Sequence, residues 1–286
     1  MIKEKEENKV EHKICNAPQL GRILWLSDGK TQIGAALDTG IRIVHLSCCG
    51  MENLFYRQPA DLSDGVFTQE GWKLLGGHRF WTAPESAQSY WPEREPVEYA
   101  LDENRVTLTQ QIDPWTGIEK TMRLEFCPDG SILATQSARN MTNEPITCAL
   151  WGVNTLAGGS GTIGFANHGG NEYNPSRTVS LWGETSLGDP RLKFTKNLVS
   201  IQHAPRTEYF KIGVYSSDGR IVHENFGQQL EICMPVEPRV RCADGGCNVE
   251  VFLHKCFMEL ETLGPTVMIA PGKTSSVSET WRVKAI

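Results

Sequence analysis

Glu259 and Glu261 stand two residues apart in "FMELETLG". Side chains alternate along an extended strand. The two carboxylates therefore share one face with Phe257, while Met258, Leu260 and Thr262 take the other, where an apolar core fits. A carboxylate on a covered face beside a ring loses water, and desolvation raises its pKa toward what a general base needs near neutral pH. The same spacing also suits two ordinary acids on a solvated face. A second concentration of chemistry is "LLGGHRFWTAPE", residues 74–85. Gly76 and Gly77 open backbone conformations closed to other residues and allow close approach. His78 adds an imidazole, the side chain whose ordinary pKa lies nearest neutrality. Arg79 presents a planar donor fork for vicinal hydroxyls or a carboxylate. Trp81 and, further on, Trp91 offer flat faces for stacking, and Glu85 accepts from hydroxyls or pairs with Arg79. No helix period or strand alternation organises the stretch. It reads as a loop, either the wall of a ligand site or an Arg–Glu pair tied over a tryptophan core. Arg42 is a further contact or an ion-pair anchor, and His168 a lesser candidate.

The elements that must position these residues follow a period of two. "RILWLS" (22–27), "TQIGAALD" (31–38) and "IRIVHLS" (41–47) alternate or run apolar. So do "RVTLTQQID" (105–113), "EKTMRLEFC" (119–127), "SILATQSARN" (131–140) and "ITCALWGVNTL" (146–156). "YFKIGVYS" (209–216), "RIVHENF" (220–226), "CNVEVFLHKCFMELETLG" (247–264) and "SSVSETWRVKA" (275–285) complete the set. DG, TG and PG turns between β-rich runs are hairpin signals. Their regular recurrence predicts an all-β antiparallel sandwich. The longest loop-like segment is the Gly-rich stretch 156–177, which holds His168. Residues 1–18 read as a polar tail, mobile or a short solvated helix at its start, ahead of one domain over 19–286.

Composition narrows the partners. The chain has 286 residues, 40% hydrophobic and 22% charged, with a net charge of −6. That balance argues against nucleic acid, whose affinity comes mainly from Lys and Arg on phosphates. No stretch approaches the ~20 consecutive apolar residues of a membrane span. The charged start "MIKEKEENKVEHK" lacks the apolar core of a secretory signal. A cytoplasmic protein is expected, its nine cysteines mostly reduced and buried. Cys242 and Cys247 flank "ADGG", but no second Cys or His pair at knuckle spacing joins them, so neither metal nor cofactor is expected.

Three segments together resemble the galactose mutarotase-like (aldose 1-epimerase) superfamily, over roughly residues 20–286. "LDTGIRIVHLSCCGMENLFYRQP" (37–59) is similar to its opening hairpin, through Gly40, Arg42, Ile43, Asn53 and Leu54. "LLGGHRFW" stands where the family has a Gly-Gly segment near the sugar. "FMELETLGPTVMIAPGKTSSVSETWRV" (257–283) resembles its late Glu-bearing strand, Pro-Gly turn and final Trp strand. The likeness is strongest to a bacterial branch with "GGHRFW.APE" and "ELE.LGP" blocks. It implies a single antiparallel β-supersandwich with a carbohydrate cleft on one broad face and a small-molecule sugar or sugar derivative as ligand. The chain would act as a monomer or homodimer, away from nucleic acid and membrane.

In the family a late-strand Glu is the base and a middle-strand His the acid. The resemblance puts Glu259 or Glu261 at the first position and leaves both open. At the second it puts Trp151, which stacks on sugars but does not donate a catalytic proton. His78 is then the acid expected from another segment. Three readings stay open: an aldose 1-epimerase-like isomerase, a carbohydrate-binding protein without chemistry, and a glycoside-processing enzyme pairing carboxylates such as Glu85 and Glu261. A cupin-type metal enzyme is more distant, since a His-x-His cluster is missing.

Overall fold

The structure, a computed structural model, describes residues 10–59, 71–166, 172–173, 179–183, 185–206 and 208–286. Two ten-stranded sheets face each other. The first runs β1 (Glu11–Ala17), β2 (Gly21–Ser27), β3 (Thr31–Ala36), β4 (Arg42–Cys48), β5 (Gly77–Ala83), β10 (Ile146–Ala157), β19 (Phe257–Ile269), β18 (Val249–Leu253), β15 (Phe210–Val214), β12 (Val179–Leu181). The second runs β13 (Leu192–Phe194), β14 (Leu198–Gln202), β11 (Thr162–Ala166), β16 (Arg220–Asn225), β17 (Gln228–Cys233), β20 (Thr274–Ala285), β9 (Ile132–Asn140), β8 (Ile118–Phe126), β7 (Arg105–Thr109), β6 (Glu98–Asp102). Neighbouring strands pair antiparallel, as the hairpin signals require. This is the sandwich expected from the sequence. Among the described residues, no helix is long and apolar enough to cross a membrane.

The two sheets bury their strands differently. In β8 burial alternates residue by residue, because one face meets the core and the other meets solvent. In β10 and β19 both faces are buried along most of the strand. One face of β19 sends Met258 and Leu260 into the inter-sheet core with Trp281 and Leu230. Fully burying such a side chain is worth roughly 1.5–3 kcal/mol. The opposite face sends Phe257 and Leu263 into a second apolar cluster with Trp72, Trp81 and Trp151. That outer cluster lays an aromatic floor on the sheet.

Three sequence readings change. Residues 74–85 are not a loop: they carry β5, hydrogen-bonded between β4 and β10. Both faces of β5 are covered, so polar and apolar residues do not alternate and the strand signal is lost. The polar tail over 1–18 is shortened, because Glu11–Ala17 pairs in full register with β2 as a mostly exposed edge strand. Backbone hydrogen bonds suffice there, and charged residues on an edge discourage further pairing. Within the Gly-rich stretch, Thr162–Ala166 forms β11. Gly76 and Gly77 do have left-handed φ values of 80° and 77°. Their close approach is to the protein itself: a Cβ would lie 2.0 Å from the Tyr56 carbonyl and 2.4 Å from that of Ile43.

Candidate functional site

Register lays the outer face of the first sheet out in rows. Gly77, Thr155, Glu259 and Phe252 align across β5, β10, β19 and β18, with Lys211 continuing the row on β15. Arg79, Val153, Glu261 and Glu250 form the next row, and Trp81, Trp151 and Leu263 the third. Directly opposed residues share a face, so three strands deliver carboxylates, a guanidinium and indoles to one surface. An open cleft there is lined by Trp72, Leu74, Arg79, Trp81, Glu85, Tyr90, Trp151, Lys211, Phe252, Phe257, Glu259 and Glu261.

Two charged groups organise this cleft. In the first, Arg79 Nη1 donates to Glu259 Oε1 at 3.1 Å and to Thr155 Oγ1 at 2.8 Å, and Thr155 Oγ1 donates to the same Glu259 oxygen at 2.9 Å. The guanidinium lies 4.4 Å from the Trp81 ring and 5.6 Å from that of Trp72, contacts worth about 2 kcal/mol when desolvated. Both bonds to Glu259 end on Oε1, so Oε2 accepts none among the described residues. In the second group Glu261 Oε2 accepts from Trp151 Nε1 at 3.0 Å and from Lys211 Nζ at 3.2 Å. Lys211 also reaches Glu250 Oε2 at 2.8 Å, and its ammonium sits 5.2 Å from the Trp151 ring and 4.9 Å from the Trp182 ring. Burial pushes the Glu261 carboxyl upward. Burial works against the Lys211 ammonium too, but Glu261 and Glu250 outweigh it and hold the amine charged above its ordinary range. At the rim, Glu85 accepts from the Tyr90 hydroxyl.

Of the residues singled out in the sequence, Glu259, Glu261, Arg79, Trp81, Glu85 and Trp151 come together in this cleft. His78 does not. Alternation that aims Arg79 and Trp81 outward aims His78 inward, opposite Asn154. Its Nδ1 lies 3.0 Å from Asn154 Oδ1 and its Nε2 3.1 Å from Gln136 Nε2. The ring packs edge-on to Trp281 with centroids 5.0 Å apart. A side chain with no exposed surface between the sheets cannot protonate a ligand in the outer cleft. Arg42 also falls outside it. Its Nη1 donates to the Gly76 carbonyl at 2.7 Å, Nη2 meets Glu93 at 3.4 Å, and the side chain lines a neighbouring cavity. Trp91 closes the short 3-10 turn Ala87–Tyr90 and does not line the cleft. His168 lies outside the described residues. Lys211, Glu250, Trp72 and Tyr90 escaped sequence reasoning, although a Glu inside the apolar run "NVEVFL" is a signal in itself.

No protein-family model and no curated protein matches the chain. Solved structures do. A galactose mutarotase-like protein from Lactobacillus casei aligns over 92% of this chain and 100% of its own, at 10% identity and a TM-score of 0.60. A galactose mutarotase related enzyme from Lactobacillus acidophilus aligns over 96% and 98%, at 9% identity and a TM-score of 0.54. A TPR-domain containing protein from Parabacteroides distasonis aligns over 92% of this chain at 13% identity and a TM-score of 0.61; the chain spans only 47% of its length. At these identities the likeness carries the architecture: the chain has the galactose mutarotase-like fold.

Proposed function

We propose that the outer cleft binds an aldose and interconverts its anomers, with Glu259 as base and Glu261 as acid. The observation that carries this reading is the delivery of two carboxylates in unlike settings, side by side, into one aromatic cleft. Glu259 is anchored through one oxygen by Arg79 and Thr155 and keeps the other open. Glu261 is buried, and desolvation favours its protonated form. Paired carboxyl groups whose surroundings differ are what acid–base chemistry on one substrate needs. The indoles of Trp81 and Trp151 supply apolar faces for a pyranose ring, and the buried Trp81 Nε1, without a partner among the described residues, supplies a donor.

In this reading Glu259 Oε2 takes the proton of the anomeric hydroxyl. The C1–O5 bond breaks, C1 becomes a carbonyl, and the electron pair on O5 receives a proton from Glu261. Rotation about C1–C2 presents the other carbonyl face, and the reverse steps close the ring as the other anomer. Each proton transfer needs its partners within about 3 Å. A second reading, carbohydrate binding without chemistry, draws on one specific observation: among the described residues, no histidine lines the cleft.

Saturation-transfer NMR or polarimetry on α-glucose and α-galactose separates the two. Wild-type protein is expected to speed relaxation above buffer, and Glu259→Gln to abolish the gain while sugar still quenches tryptophan fluorescence. Binding without acceleration by the wild type leaves the non-catalytic reading standing. If no sugar perturbs the fluorescence, both readings fall.

A further inference from the structure

Glu250 lies behind the cleft wall, directly across from Glu261 in the β18–β19 register, and is 1% exposed. Two carboxyl groups there share a single ammonium, Lys211, at 2.8 and 3.2 Å. We propose that Glu250 holds a proton that it shares with Glu261, and that this buried carboxyl pair is the acid that protonates the ring oxygen. The proposal rests on the mutarotase reading above and makes Glu250 a positioning residue, since only Glu261 reaches the cleft.

The surroundings leave the pair one positive charge short. Facing Glu250 are Lys211 from β15, Glu261 from β19, and Asp244 with the Cys247 thiol from the turn before β18. Farther along the same face, Glu259 is engaged by Arg79, and Glu85 stands at the rim. One ammonium cannot neutralise two adjacent buried carboxylates, and such a pair keeps a proton that belongs to both. Glu250 Oε1 is buried and accepts no bond among the described residues. An orphaned buried acceptor costs about 1–3 kcal/mol, whereas a protonated carboxyl has a hydrogen to donate to the Glu261 carboxylate opposite. Burial, followed by the charge of Glu261, raises the Glu250 carboxyl to about 9. The histidine expected at the acid position is replaced in the sequence by Trp151, whose Nε1 instead donates to Glu261.

The step balances within these residues. The one shared proton moves from Glu250 to Glu261 and on to O5 as O5 leaves C1 with its electron pair, and both carboxyls are then ionised. Lys211 stays charged throughout and steadies the pair until the proton returns. Ring closure returns the proton along the same path.

The test is Glu250→Gln, which keeps the shape and a donor but cannot lose a proton. Expected are a kcat about 100-fold lower, a KM within about twofold and loss of the alkaline fall-off that the shared proton predicts for the wild type. Glu250→Asp, still ionisable, should recover part of the rate. Infrared difference spectra at pH 7 should show a protonated-carboxyl band in the wild type. The band should shrink in Glu250→Gln, and its remainder should belong to Glu279, as Glu279→Gln reports. An unchanged band, or a Glu250→Gln enzyme with wild-type kcat and an intact alkaline limb, overturns the proposal. Infrared on Glu279→Gln, where the band of the shared proton should persist, decides the question even where Glu250→Gln fails to fold. A wild type with the band but no acceleration of mutarotation overturns the mutarotase reading and the acid role with it, while the shared proton stands on the spectrum.

Discussion

Replacing His78 by Ala should cost stability and leave the chemistry of the cleft intact. The imidazole has no exposed surface. Its Nδ1–H donates to Asn154 Oδ1, and its Nε2 accepts from Gln136 Nε2, so the hydrogen bonds select one neutral tautomer. Truncation orphans one acceptor and one donor between the sheets, at roughly 1–3 kcal/mol each. It also removes an edge-to-face contact with Trp281 worth about 1 kcal/mol. A loss of about 4 kcal/mol follows, which lowers the melting temperature of a domain this size by roughly 10 °C. The assay is chemical denaturation beside sugar titration of tryptophan fluorescence at a temperature where the variant is folded. Affinity should hold within about twofold, because the ring and the cleft lie on opposite faces of β5. A variant that melts with the wild type but loses turnover would refute the placement of His78 and restore it as the acid.

Other perturbations test the same division. His78 and His223 are both fully buried and pushed down to about 4 by burial. Because their folded pKa lies below the unfolded value, the stability they contribute is present above about pH 6.5 and is lost as pH falls through about 4. A fall from the ordinary value to about 4 corresponds to roughly 3 kcal/mol per group, and denaturant midpoints between pH 7 and 4 should lose that slope stepwise in His78→Gln and His223→Gln. Glu279 runs the other way. Burial raises its carboxyl, which accepts from Thr262 and from Trp281 Nε1, so its contribution fades as pH rises above the ordinary Glu range. The stability of Glu279→Gln relative to wild type should therefore improve with pH, and a constant difference in urea midpoints from pH 4 to 9 would count against this. Gly77→Ala should destabilise by 2 kcal/mol or more at ~25 °C, since its Cβ would sit 2.4 Å from the Ile43 carbonyl at a positive φ; thermal melting gives the answer directly.

Much of the architecture was legible because one-sided strands write their geometry into the sequence. The alternation of "EKTMRLEF" is the alternation of core and solvent along β8. The Glu259–Glu261 pair was legible for the same reason, and its face was assigned correctly by spacing. The failures lie where that rule loses contrast. β5 is covered on both sides, so "GHRFWTA" shows no period and reads as a loop. The alternation still operates there, and it separates His78 from Arg79 and Trp81. Glu250 within an apolar run marks a buried acid, but its partner is not legible in the sequence, because β15 brings Lys211 to β18 through tertiary pairing alone.

The two faces of β19 handle buried polarity in opposite ways. On the inner face Thr262 and Trp281 donate to Glu279, Asn154 donates to the Leu260 carbonyl, and burial holds His78 neutral and raises the Glu279 carboxyl: a network joined by hydrogen bonds rather than ion pairs. Such a network fixes the register of two sheets at little electrostatic cost. On the outer face Arg79, Lys211, Glu250, Glu259 and Glu261 are all charged or share protons at less than a tenth exposure for the carboxylates. Ion pairs in such a setting are weak stabilisers, and apolar replacements of similar volume are often tolerated. A sandwich that needed only stability could cover Trp81 and Trp151 with aliphatic side chains. Two carboxyl groups around one lysine and a third on Arg79, on the face that carries the indoles, are therefore better accounted for by a ligand than by the fold.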